Sequence, residues 1–194
     1  MSTEQQLPTV EAADQQAWRA WLEANHTDQA GAWLKFAKKG APTASVSYAE
    51  AIEEALCFGW IDGQVRGFDE HFYLQRFTPR RPRSKWSQIN REKATRLLAE
   101  GRIKPSGLAQ IEAAKADGRW EAAYPAQSAA TVPEDLERAL DQNPKAKQFF
   151  ETLAGATRYA FLYRLHNVKK PESRAKRIER YIELLSEGKT LTQG

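Results

Sequence analysis

The sequence contains very little cysteine, and this scarcity excludes several classes of protein. Cys57 is the single cysteine among 194 residues, so no intramolecular disulfide can form and a disulfide-stapled secreted scaffold is excluded. No stretch approaches the roughly 18 consecutive apolar residues of a membrane helix. The first residues are polar and lack the basic and apolar segments of a secretory signal. We therefore expect a cytoplasmic protein without a membrane span.

Sequence motifs for metals, cofactors and covalent catalysis are also missing. The three histidines, His26, His71 and His166, have no ligand partner at metal-binding spacing. The glycine-rich dinucleotide motif, the phosphate-binding loop and the nucleophile elbow are absent. Cys57 stands between two apolar residues, where a free cysteine is usually a small core side chain. We therefore expect no metal, no cofactor and no assignable catalytic residue.

The composition is that of an ordinary globular protein, but its charge is unevenly distributed. Hydrophobic residues make up 41% and charged residues 28%, which excludes general disorder. Residues 1–59 carry 4 basic and 8 acidic residues, residues 60–104 carry 11 and 5, and residues 105–194 carry 14 and 12. Within residues 76–104, ten basic residues accompany two acidic ones. The small net charge of +4 thus hides a strongly basic middle segment.

Turn residues and hydrophobic periodicity predict where the helices and strands lie. Aromatic-rich runs at 32–36, 60–63 and 71–77 are bounded by glycine, proline or a turn, which predicts strands. Residues 47–50 have the spacing of a helix capping box. Asn90 is predicted to cap a further helix. The other predicted helices cover residues 11–24 and 105–118 and begin near residues 133, 144, 157 and 172.

The order of these elements predicts an α+β fold. A small antiparallel sheet backed by helices is followed by helices only, which is typical of a helical C-terminal subdomain. Residues 1–123 are predicted to form the α+β domain with an arginine-rich loop. Residues 124–132 are small and uncharged, which predicts a linker. Residues 133–190 are predicted to form the helical subdomain.

The segment 75–90 is the strongest candidate for a binding site. It combines prolines that stiffen a loop, several arginines, a tryptophan and a predicted helix N-terminus. Arginine binds phosphate or carboxylate oxygens through two parallel hydrogen bonds and stacks on aromatic rings. The alternative is a solvated loop whose arginines pair with acidic residues, above all Glu50, Glu53 and Glu54. The predicted anion-binding residues are Arg76, Arg80, Arg81, Arg83, Lys85, Trp86 and Asn90.

A second candidate pocket comprises Trp60, Asp62 and His71. The order helix, glycine, strand at residues 56–63 can leave Asp62 near an arginine of the neighbouring strand, with Trp60 half-buried. The more common role of such residues is structural, because an aspartate often caps a turn and a tryptophan often fills the core. We favour the structural role for this group.

Two motifs and a C-terminal feature connect the chain to a known family. They are residues 54–63 (EALCFGWIDG), residues 73–87 (YLQRFTPRRPRSKWS) with Ile89-Asn90, and Arg158-Tyr159 with a basic last helix. Over nearly its whole length the chain resembles the YdeI/OmpD-associated family, often labelled bacteriocin-protection proteins. The resemblance implies a YjbR/CyaY-like N-terminal half, a helical C-terminal part, and a role in protection against bacteriocins or cationic peptides. Folds of the YjbR type are also associated with nucleic-acid binding.

Three functional hypotheses follow from these observations. The first is a non-enzymatic stress-protection or bacteriocin-protection protein whose segment 76–90 binds an anionic group, with nucleic acid as the main large ligand. The second is an enzyme or sensor for a small phosphorylated or carboxylated metabolite, with Asp62 or His71 as acid or base. The third is a protein-interaction module that uses the C-terminal helices. The positions of the arginines distinguish the first two, because a concave cluster favours a small ligand and a convex spread favours nucleic acid, whereas pairing with Glu50, Glu53 or Glu54 favours neither.

Overall fold

The computed structural model describes residues 7–191, which form two units, one ending at Ala123 and the other beginning at Tyr124. The elements of the first unit are β1 (Thr9–Glu11), α1 (Gln15–Asn25), β2 (Ala32–Ala37), α2 (Tyr48–Cys57), β3 (Trp60–Gly67), β4 (Phe72–Pro79), α3 (Gln88–Ala99) and α4 (Pro105–Ala116). Those of the second unit are a short 3-10 helix (Gln127–Ala129), α5 (Glu134–Asp141), α6 (Pro144–Thr152), α7 (Gly155–His166) and α8 (Pro171–Ser186). A sheet with helices, followed by helices alone, confirms the predicted fold class.

The sheet of the first unit has four strands in the order β1-β2-β4-β3. The central strand β4 pairs antiparallel with β2 and with β3, as the predicted small antiparallel sheet requires. The edge strand β1 runs parallel to β2 and has only three residues. So short a strand shows too little alternation of polar and apolar residues to be predicted from the sequence.

One side of the sheet faces the helices and carries the core. Leu34 and Phe36 of β2 and Phe77 of β4 belong to the same buried cluster as Trp18 and Leu22 of α1. Successive side chains of a strand point to opposite faces. The residues that alternate with these core positions therefore point to the other side of the sheet.

The turn from α2 into β3 requires glycine. Ser47 and Glu50 form the predicted capping box at the start of α2. Gly59, which follows α2, has a φ of +75°, and a Cβ at this position would lie 2.8 Å from the carbonyl oxygen of Ser106. A left-handed backbone conformation and a close neighbouring chain both favour glycine here. This turn fixes the direction in which β3 leaves the helix.

Helix α3 is capped by Ser87, so the prediction of an Asn90 cap is wrong. The backbone amide of Asn90 donates to the hydroxyl of Ser87 at 3.1 Å, and the helix begins at Gln88. Serine and asparagine are comparable caps in general. Here the chain turns into the helix directly after Trp86, whose burial places Ser87 at the cap.

Replacement of Ser87 by alanine is expected to lower the free energy of unfolding by about 1 kcal/mol, because one amide of the first turn loses its acceptor. Asn90→Ala is the matched control and should change stability by only a few tenths of a kcal/mol. Urea unfolding of both variants measures the difference. A larger loss for Asn90→Ala than for Ser87→Ala would contradict this assignment of the cap.

The second unit has a core of its own. Phe150, Phe161 and Tyr181 pack in one buried cluster with leucines of α5, α7 and α8. Arg174 of α8 binds both carboxylate oxygens of Asp135 in α5, and this hydrogen bonding lowers the pKa of Asp135. Among residues 7–191, no helix has both the length and the apolar character needed to cross a membrane.

The N-terminal part of the predicted linker packs within the second unit. The ring of Tyr124 meets that of Tyr163 edge to face at 4.9 Å between centroids. The hydroxyl of Tyr159 donates to the carbonyl oxygen of Pro125 at 2.8 Å. Residues 127–129 form the short 3-10 helix. The start of this segment is therefore held against α7.

Candidate functional site

Two of the predicted anion-binding residues, Arg80 and Trp86, lie inside the first unit. They are 5% and 2% exposed, and the guanidinium carbon of Arg80 lies 3.7 Å from the centroid of the Trp86 ring. The ring of Trp86 also packs against that of Trp120, with 4.9 Å between their centroids. Arg80 also donates to the carbonyl oxygen of Lys85 at 3.2 Å. This stack holds the two ends of the loop between β4 and α3 together.

Arg81, Arg83 and Lys85 lie on the exposed part of the same loop. The hydroxyl of Ser84 accepts a hydrogen bond from the amide of Arg81 at 2.9 Å, and Arg119 donates to the carbonyl oxygen of Ser84 at 2.8 Å. The loop is thus a well-supported turn with its cationic side chains on the outside. Asn90 lies beyond it, half-buried in the first turn of α3.

The acidic residues that were expected to neutralise these arginines bind other partners. Glu54 is only 2% exposed and accepts hydrogen bonds from Arg19 at 2.6 Å and Arg102 at 2.5 Å. A third bond comes from the side-chain amide of Gln15 at 2.7 Å. Although burial opposes it, the hydrogen bonds and charge of Glu54 raise the pKa of Arg19 and Arg102. We name these four residues the Glu54 cluster.

Cys57 lies beside the Glu54 cluster and is fully buried. Burial, reinforced by the negative charge of Glu54, raises the pKa of its thiol. A thiol with a raised pKa carries little of the thiolate that acts as a nucleophile. Cys57 is therefore a core side chain, as its apolar neighbours in the sequence predict.

Other basic residues of α3 and the segment after it also have acidic partners. Lys93 and Arg96 bind Glu53 at 3.3 and 2.5 Å, and Lys104 binds Glu23 at 2.7 Å. In contrast, no ion pair within residues 7–191 involves four arginines of β3, β4 and the loop after β4, namely Arg66, Arg76, Arg81 and Arg83.

The structure does not bring together the residues of the second candidate pocket. Trp60 is 1% exposed and donates to the carbonyl oxygen of His26 at 3.3 Å. Asp62 accepts a hydrogen bond from the hydroxyl of Tyr48 at 2.8 Å. His71 lies at the turn between β3 and β4, with its ring 3.1 Å from Glu70. Trp60 and His71 are thus at opposite ends of the β3–β4 pair.

A surface with both aromatic and cationic side chains lies on the side of the sheet opposite the core. Trp33 of β2 is paired with Arg76 of β4, and the guanidinium carbon of Arg66 in β3 lies 4.1 Å from the centroid of Trp33. The ammonium of Lys35 lies 4.3 Å from the centroid of Phe72. We name these five residues the outer face.

Of the outer face, only Arg76 was among the predicted site residues. A signal for two others exists in the sequence, because Trp33 and Lys35 alternate with the apolar residues 32, 34 and 36. Such alternation places them on the solvent side of a strand. Whether Arg66 lies on this face depends on the register of β3 against β4, and the sequence pattern does not define that register.

Two family models match the chain, each over a different part. Residues 10–110 match the domain of unknown function (DUF8412). Residues 129–188 match the family described as bacteriocin-protection, YdeI or OmpD-associated, which confirms the resemblance for the C-terminal part. The motifs at 54–63 and 73–87 fall in the first match, and the YjbR/CyaY-like character of this half stays a prediction. No curated protein and no solved structure matches the chain.

Proposed function

Because the chain belongs to the DUF8412 family of unknown function through residues 10–110, we propose its function from the geometry of the first unit. This unit binds a single strand of nucleic acid. The binding surface is the outer face, continued by Arg81 and Arg83 in the loop that follows β4. The proposal is a binding function without catalysis.

The observation that carries this proposal is the division of the basic segment into two parts. The basic residues of 93–104 are largely neutralised by Glu53, Glu54 and Glu23. Within residues 7–191, Arg66, Arg76, Arg81 and Arg83 have no acidic partner. Four arginines without counter-charges create a local positive potential that attracts a polyanion.

The aromatic side chains favour a single strand over a duplex. Proteins that bind single strands combine a positive surface with aromatic rings on which bases stack, and arginine planes stack on bases in the same way. Trp33 and Arg66 already form such a stack at the centre of the outer face. The bases of a duplex are stacked on one another and cannot reach this surface.

The position of the arginines does not favour a small metabolite as the ligand. Arg80 is enclosed against Trp86, while Arg81 and Arg83 are exposed on the turn. The proposed acid and base, Asp62 and His71, bind Tyr48 and Glu70, and within residues 7–191 no ion pair joins Asp62 to an arginine. An extended ligand fits such a spread of cations better than a compact one.

The second unit supports a role for this binding in protection against bacteriocins. Its residues 129–188 match the family described in those terms. We include in the proposal that the protein acts in the cytoplasm, where single-stranded nucleic acid is available. The third hypothesis, protein interaction through the C-terminal helices, stays a prediction.

Titration with fluorescent single-stranded and double-stranded oligonucleotides at low and moderate salt tests the proposal. We expect the single strand to bind more tightly, with an affinity that falls steeply as salt rises, because each phosphate contact releases counterions. No binding at low salt would show that the proposal is wrong.

A thermal-shift screen of small phosphates and carboxylates tests the competing metabolite hypothesis. A specific ligand at 100 times its dissociation constant stabilises a protein by about 2.7 kcal/mol. We expect oligonucleotides, and not these small anions, to raise the melting temperature. A shift produced by a small anion alone would favour the metabolite hypothesis.

A further inference from the structure

A cleft of about 340 Å³ opens beside the outer face. Its walls include Glu11 at the end of β1, Lys35 of β2, Phe72 of β4, and Thr43 and Ser45 in the loop before α2. Its volume lies at the lower end of the roughly 300–1,000 Å³ that small-ligand sites occupy. Because Lys35 and Phe72 belong to both surfaces, the cleft continues the outer face.

The loop between β1 and α1 and the loop before α2 both line the cleft and are held in place by hydrogen bonds. The hydroxyl of Ser45 accepts from the amide of Ala37 at 2.9 Å and donates to the carbonyl oxygen of Val46 at 3.1 Å. The amide of Val46 donates to the carbonyl oxygen of Ala12 at 2.9 Å and joins the two loops. The cleft is therefore present before any ligand binds.

The charged side chains of the cleft are Lys35, which donates hydrogen bonds, and Glu11, whose two carboxylate oxygens accept them. The ammonium of Lys35 donates to one carboxylate oxygen of Glu11 at 2.9 Å. An ammonium has three donors and a carboxylate has two accepting oxygens. Among residues 7–191, the second oxygen of Glu11 has no partner. The side chain of Glu11 is 72% exposed and that of Lys35 is 16% exposed. Both groups thus retain hydrogen-bonding capacity for a ligand.

We propose that this cleft binds one guanine base of the strand that lies on the outer face, an inference that rests on the proposed function. The Watson–Crick edge of guanine presents two neighbouring donors, N1–H and the N2 amino group, beside the acceptor O6. Proteins read the edges of unstacked single-stranded bases by such hydrogen bonds. The two oxygens of Glu11 match the two donors, and Lys35 donates to O6.

The other bases match this pair less well. Cytosine and adenine each present one exocyclic amino donor, and thymine or uracil presents only the N3–H donor between two carbonyl oxygens. Each of them leaves one oxygen of Glu11 without a base donor. The phosphates on either side of the guanine then lie toward the cations of the outer face.

The test compares fluorescent ten-residue thymine oligonucleotides that carry one central guanine, one central inosine or neither. Inosine lacks only the N2 amino group. The guanine oligonucleotide is expected to bind about tenfold more tightly than the thymine oligonucleotide, because a base contact with two good hydrogen bonds gives a preference of about this size. Inosine should lose most of that preference. Equal affinity for all three would overturn the guanine assignment while leaving the proposed function in place.

Glu11→Gln provides the matched variant. It removes one accepting oxygen, so the ratio of the affinities for the guanine and thymine oligonucleotides should fall to about one. Glu92→Gln, an exposed position on α3, is the control and should keep the preference. A Glu11→Gln protein that still prefers guanine would overturn the inference.

Guanosine monophosphate distinguishes a base in a strand from a free nucleotide. It should bind at least about tenfold more weakly than the guanine oligonucleotide, because it lacks the further phosphates that bind the arginines. Equal affinity would overturn the claim that the base belongs to a bound strand. Absence of binding by every oligonucleotide at low salt would overturn both the proposed function and this inference.

Discussion

Replacement of Glu54 by glutamine is expected to lower the free energy of unfolding by about 3–5 kcal/mol, the cost of removing one partner from a buried ion pair. Arg19 and Arg102 both donate to this buried carboxylate, and the variant leaves their charges without it in a partly desolvated position. The whole stability of a domain is only about 5–15 kcal/mol. Urea unfolding followed by circular dichroism measures the loss.

Glu23→Gln is the control for this prediction. Glu23 pairs with a basic residue as well, Lys104, but the side chain of Glu23 is 58% exposed. An exposed pair contributes about 0–1 kcal/mol, so the control should unfold almost like the unchanged protein. Similar losses for the two variants would show that the Glu54 cluster does not stabilise the fold through its burial.

Simultaneous replacement of Arg66 and Arg76 by glutamine is expected to weaken single-strand binding by about tenfold or more. Two phosphate contacts would be removed, and each contact contributes about 0.7 to the slope of log affinity against log salt concentration for a single strand. The slope should therefore become shallower by about 1.4. Anisotropy titrations over a series of salt concentrations measure the affinity and the slope together.

A control variant changes the net charge by the same amount in the second unit. Arg138 and Arg180 are exposed on α5 and α8, and Arg138→Gln with Arg180→Gln should leave the slope nearly unchanged. If the control lowers affinity as much as the outer-face variant does, binding depends on net charge and not on the outer face.

Local patterns in the sequence predicted much of the fold. The strand at 32–37, the capping box of α2 and the turn at Gly59 depend on residues close together in the chain. The parallel edge strand β1 was missed because three residues show no periodicity. The cap of α3 was misplaced by three residues because two suitable cap residues stand close together.

The binding surface was harder to predict because it depends on contacts between distant residues. Arginine and tryptophan are residue types typical of an exposed binding loop, but Arg80 and Trp86 stack on each other inside the first unit. Glu54 pairs with Arg19 and Arg102, which are 35 and 48 residues away in sequence. Only the folded structure shows which arginines these acids neutralise and which they leave for a ligand.

Photocrosslinking with a single-stranded oligonucleotide that carries a photoreactive thymine analogue tests the location of binding most directly. Irradiation traps the bases against their neighbours, and mass spectrometry of the digested protein identifies the attached peptides. The proposed surface predicts crosslinks in β2 and β4, centred on Trp33 and Phe72, that disappear as salt rises. Crosslinks confined to residues 124–191, or to the helices α1 and α2 on the core side of the sheet, would contradict it.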